Sequence, residues 1–170
     1  DSLAFRTRAL QEDCAERRDT PLLISLQDHS GISIPEDDAL LETIVLQYCW
    51  YFSPSDAGIA LLVSQEWLND HRWLLEAPQC RLDGMRLIAV NDAAARRVRD
   101  RIAAHPEKHF LVIESGDFGI DINTDHVSVL KMEDIHSCSS FFRIQKNPDG
   151  YILIEADRQR RFEIHQLTQD

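Results

Sequence analysis

Beyond Glu114 the apolar residues recur at every second position in short segments, and this period limits the fold more than any other feature of the chain. The segments are Phe118–Asn123, His126–Met132, Phe141–Lys146, Tyr151–Ala156 and Phe162–Leu167. Successive side chains of a strand point to opposite faces, so a period of two fits half-buried strands and not an amphipathic helix. Asn147-Pro-Asp-Gly150 reads as a tight turn, and Asp157-Arg-Gln-Arg160 as a second hairpin loop. The spacing predicts an antiparallel meander through the C-terminal half.

Upstream the period lengthens. Residues 3–18 read as a helix ended by Pro21, and Pro21–Leu26 as a strand. Ser33-Ile-Pro-Glu36 has the form of a capping box. It predicts a helix to about Tyr51, with Leu40, Leu41, Ile44, Val45 and Tyr48 on one side. Ser53-Pro54 is a second start signal, after which Gly58–Val63 fits either a helix or a buried strand. Ser64–Glu76 reads as helical and is closed by Pro78. Met85–Val90 reads as a strand, Asp92–His105 as a helix capped by Asn91, and Phe110–Glu114 as the next strand. That β-α-β passage has the length of a parallel crossover. The economical architecture is one α+β domain over residues 1–170: helices packed on one side of a mainly antiparallel sheet, a helix-rich N-terminal half and a β-meander after it.

A chain of 170 residues buries enough surface to fold without a disulfide or metal staple. Its four cysteines, Cys14, Cys49, Cys80 and Cys138, form no CxxC pair, which suits free thiols in a reducing cytoplasm. No apolar run has the length of a membrane span. No signal-peptide pattern opens the sequence, although the missing initiator Met leaves room for a longer parent protein.

The motifs of nucleotide-binding enzymes, zincins, α/β-hydrolases and kinases are missing. Asp121-Ile-Asn-Thr-Asp125 imitates the start of a calcium loop. His126 stands where the loop needs Gly, and Met132 where it needs a bidentate Glu, so no metal site and no cofactor are expected. His105 and His109 are separated by Pro106 and do not share a helix face. His136 and Cys138 lack a recognisable orienting group. The Arg96, Arg97, Arg99 and Arg101 cluster is scattered around its helix, as solvated or acid-paired arginines are.

Charge is the most informative bulk property. The net charge is −11, and no Lys or Arg occurs between Arg18 and Arg72. Asp28, Glu36, Asp37, Asp38, Glu42, Asp56, Glu66 and Asp70 all fall in that interval, interleaved with Trp50, Tyr51 and Trp67. A field of one sign attracts partners of the other and repels nucleic acid and anionic membranes. Tyr and Trp supply buried anchors at protein interfaces. These residues are the candidate partner-binding set, and the expected partner is a basic protein. The same surface is compatible with a homo-oligomer.

The leading functional reading is therefore an acidic protein-binding module rather than an enzyme. In composition and size, though not in motif, it is similar to bacterial inhibitor or immunity proteins and to secretion chaperones. Two alternatives stand beside it. One is an enzyme with a motif-poor site built from Asp117, Asp121, His126, His136 or Cys138. The other is a regulatory or assembly domain of a longer protein.

Overall fold

The computed structural model describes residue 24 and residues 31–116, 118, 125–132, 142–155 and 158–164. The expected helix at 3–18, most of the strand at Pro21–Leu26 and most of the strand at Phe118–Asn123 lie outside these residues. So do Asp28, Asp117, Asp121, His136 and Cys138.

Ten strands and three α-helices are described. In chain order they are β1 (Gly31–Ile34), α1 (Asp38–Tyr51), β2 (Ala57–Val63), α2 (Gln65–Asp70), β3 (Arg81–Leu82), β4 (Met85–Arg86), β5 (Ile88–Ala89), α3 (Asp92–Ala103), β6 (His109–Ser115), β7 (Val127–Met132), β8 (Phe142–Asn147), β9 (Gly150–Glu155) and β10 (Arg158–Phe162). Two short 3-10 helices, Arg72–Glu76 and Pro78–Cys80, join α2 to β3. Eight strands form one sheet in the order β10-β9-β8-β1-β7-β6-β2-β5, while β3 and β4 make a separate hairpin.

The sheet corrects the expected fold class. It is mixed and mostly parallel: β1 pairs in parallel with β7 and β8, β6 with β7 and β2, and β2 with β5. The antiparallel pairs in it are β8–β9 and β9–β10, so the expected meander is confined to the last three strands. The cause is β1, which enters between β7 and β8 and separates two strands that are neighbours in sequence. An alternating pattern reports a half-buried strand and does not by itself fix the direction of its neighbour.

The helices also lie on both faces rather than one. Leu40, Leu41, Val45 and Tyr48 of α1 pack with Ile32, Ile34, Ile59, Leu61, Leu111 and Ile113. Ala95, Val98 and Ile102 of α3 pack with Ala60, Leu62, Phe110 and Val112 on the opposite face. The chain crosses the sheet one way from β1 through β2 to β5, then reverses from β5 to β6. Crossovers between parallel strands are right-handed, so reversing the direction of travel moves the connecting helix to the other face.

The N-terminal half is not helix-rich among the described residues, because the ambiguous segment after Ser53 is β2. All seven residues of β2 are buried, as befits a strand covered by helices on both faces. The expected capping box is likewise displaced. Ile32 and Ile34 both reach the core, which keeps this segment in β1. Asp37 then caps α1, accepting from the Leu40 amide at 3.1 Å. Asn91 caps α3 as expected, accepting from the Ala94 amide at 2.9 Å. Ser64–Glu76 divides into α2, with Ser64 as its cap, and a 3-10 turn. Arg158-Gln-Arg160, expected in a loop, belongs to β10.

Candidate partner-binding surface

The base-free interval does not form one surface. Most of its described carboxylates gather around the start of α1, while Asp56 lies at the far end, in the turn after the helix. The 14 residues of α1 put roughly 21 Å between those ends. Near the start, Glu36, Asp38 and Glu42 are exposed. On α2, Glu66 and Asp70 are exposed as well. His71 joins the two helices. Its Nδ1 donates to the Trp67 carbonyl at 2.8 Å, and its Nε2 lies 2.9 Å from an Asp38 carboxylate oxygen. The Trp67 indole stacks on the His71 ring at 3.8 Å and is half-buried, so it is a packing residue rather than a free anchor.

Asp37 does not belong to the open surface. It is buried, and Lys146 at the end of β8 pairs with its second oxygen at 2.5 Å. Burial pulls the Asp37 carboxyl upward. Hydrogen bonds from Lys146, the Leu40 amide and Tyr151, with the Lys146 charge, outweigh burial and hold it below the usual carboxylate range. Asp37 is thus a neutralised cap that ties α1 to the β8–β9 hairpin. At the far end, Asp56 accepts from the Ser53 and Ser55 hydroxyls, which hold its carboxyl low.

The aromatic candidates fall at the C-terminal end of α1. Trp50 is 87% exposed and Tyr51 76%, and Leu46, one turn before Trp50, is 57% exposed. Positions 38, 42, 46 and 50 are four apart and share a helix face, so Asp38, Glu42, Leu46 and Trp50 make one solvent-facing row. The opposite side of α1 holds its core residues, so only the C-terminal part of this helix carries apolar side chains on both sides.

A polar cluster missed by sequence reasoning sits at the amino-terminal edge of the sheet. The Tyr48 hydroxyl lies 3.1 Å from His109 Nδ1 and reaches the carbonyls of Gly58 and His109. His109 Nε2 lies 3.1 Å from the Ser128 hydroxyl. Burial, with His126 nearby, pushes the His109 imidazole below its ordinary range, and burial pushes the Tyr48 phenol up. The arrangement resembles a nucleophile–base pair in geometry, but Ser128 is 1% exposed, and no substrate reaches its oxygen in this conformation. The cluster pins the end of α1 to β2, β6 and β7. The three residues are 61 and 19 positions apart in sequence, so no local motif announces them.

The enzyme alternative gains no convergent set. Among its candidates only His126 is described, and its Nε2 is buried without a hydrogen-bond partner. No group of three or more His, Cys, Asp or Glu suited to a metal occurs among the described residues. No described helix is long and apolar enough to cross a membrane. The chain matches no protein-family model and no curated protein sequence.

Proposed function

We propose that this chain is a protein-binding module that captures a basic partner along the outer face of α1. The observation that carries the reading is the row Asp38–Glu42–Leu46–Trp50, apolar at one end and acidic at the other. Glu36 and Asp70 extend the acidic end, and Tyr51 adjoins the apolar end. Solvent-facing Leu and Trp on a helix whose other side is already in the core call for a second protein surface. The carboxylates set the sign of that surface. A partner segment presenting Lys or Arg beside an apolar patch satisfies both ends at once. The carboxylates speed encounter, and Trp50 and Leu46 hold the complex once formed. Asp56 and Trp67 drop out of the contact set, and Asp37 acts only by fixing the helix. The free thiols of Cys49 and Cys80 suit the reducing cytoplasm in which we place the module.

The test uses the partner recovered by affinity capture from the native host, followed by purified-component kinetics. Asp38→Lys with Glu42→Lys should slow association about tenfold at low salt, with little effect on dissociation. Trp50→Ala should speed dissociation by about tenfold or more, a cost of about 1.4 kcal/mol or more. An association rate indifferent to both salt and charge reversal would remove the reading.

A further inference from the structure

We infer that the outer edge of β10 is a docking site for an extended acidic peptide, taken up as a ninth strand of the sheet. β10 is the terminal strand, paired through five residues with β9 and with no strand on its other side among the described residues. Arg158, Gln159, Arg160 and Arg161 are all exposed. The other edge strand, β5, has two residues and offers no comparable length. An unpaired edge presents a row of backbone donors and acceptors, the groups that strand addition uses.

The side chains choose the partner. Arg158 and Arg160 stand on the face that carries Phe162, and Arg161 stands on the other, because neighbouring strand residues alternate. Arg160 lies 3.7 Å from a Glu155 oxygen, while Arg158 and Arg161 have no acidic partner among the described residues. Charges on an edge strand commonly guard it against chance pairing. Guarding works against apolar or basic strands only. A segment with Glu or Asp at alternate positions turns the same arginines into paired contacts, and the guanidinium fork suits carboxylates in two-point geometry. Phe162, stacked on Tyr151 at 5.5 Å and paired with it in register, anchors the end of β10 to β9. The occupant is a segment of a different protein, since a second copy pairing edge to edge would set the same exposed arginines against one another.

The probe is a fluorescent peptide of alternating Glu and Val, followed by anisotropy at low ionic strength. Saturable binding should weaken about tenfold or more in Arg158→Glu/Arg161→Glu, the loss of two charge-assisted contacts. It should also fail when alternate backbone amides of the peptide are N-methylated, a change made without touching the protein fold. Trp50→Ala and Glu42→Lys should leave it unchanged, which separates this site from the α1 surface. Absence of binding at millimolar peptide overturns the inference, as does binding indifferent to N-methylation. Concentration-dependent self-association abolished by the Arg→Glu pair overturns it too, because the occupant would then be a second copy.

Discussion

At the residue scale, buried Asp37 and half-buried His109 act as fixings for the two ends of α1, and both make stability depend on pH. The Asp37 carboxyl is held below its ordinary value of 3.8, so the folded state binds its proton less readily than the unfolded chain. Its contribution is complete above that value and disappears as pH falls through the lower folded pKa. Burial, with His126 nearby, holds the His109 imidazole below 6.5, so folding disfavours its charged form. Between the folded pKa and 6.5 the unfolded chain holds more protons, so stability falls as pH drops below 6.5. Urea titrations at several pH values should show both slopes. His109→Gln should flatten the slope just below pH 6.5 and leave the one below 3.8, whereas Asp37→Asn should reduce only the latter, to which Asp56 and Glu107 also contribute. Asp37→Ala should cost about 1–2 kcal/mol through loss of the cap alone. Equal pH slopes in wild type and both variants would show that neither group is linked to folding. Burial, with a smaller contribution from Cys49, pushes the Cys80 thiol up to about 12, so it stays protonated at neutral pH.

At the scale of elements, β2 depends on a contact that residue type alone does not reveal. A Cβ at Gly58 would lie 2.5 Å and 2.6 Å from two carbons of the Phe110 ring, on the neighbouring strand β6. Phe110 is fully buried within the α3-side core, and close-packed interiors leave a ring little room to move. Gly58→Ala should therefore cost about 1–3 kcal/mol, despite replacing a flexible residue with a better-ordered one. The urea midpoint measures this, and an unchanged or higher midpoint would mean that the ring shifts freely. Gly150, which closes the β8–β9 hairpin at φ +127°, is required for a different reason. That backbone angle is strained for any L side chain, and a Cβ there would also meet the Phe162 carbonyl at 2.7 Å.

At the scale of the molecule, the excess of acids acts on the protein itself. Glu36, Asp38 and Glu42 at one end of α1, with Glu66 and Asp70 on α2, are exposed in an interval that contains no Lys or Arg. Like charges within a Debye length repel, and added salt shortens that length from about 10 Å at 0.1 M to about 3 Å at 1 M. Raising NaCl should therefore raise the thermal midpoint, and Asp38→Asn with Glu42→Gln should reduce the gain. A midpoint that falls with salt would show that attractive pairs such as Asp37–Lys146 outweigh the repulsion.

The sequence by itself determined the local elements whose signals are short in range. These include the Asn91 cap of α3, the turn at Asn147–Gly150 and the alternation in β7 and β8. The list of acids and aromatics was legible too, but their grouping was not. Asp37 is one residue from Asp38 in sequence, yet it is buried against Lys146, 109 positions away, while Asp38 faces solvent. Only the tertiary structure decided that grouping. It likewise decided that β1 separates β7 from β8, that the sheet is mostly parallel, and that α1 and α3 lie on opposite faces. The reason is physical. Caps, turns and periodicity act over a few bonds, whereas strand order and charge pairing are contacts between distant segments, selected by which arrangement buries both faces of the sheet.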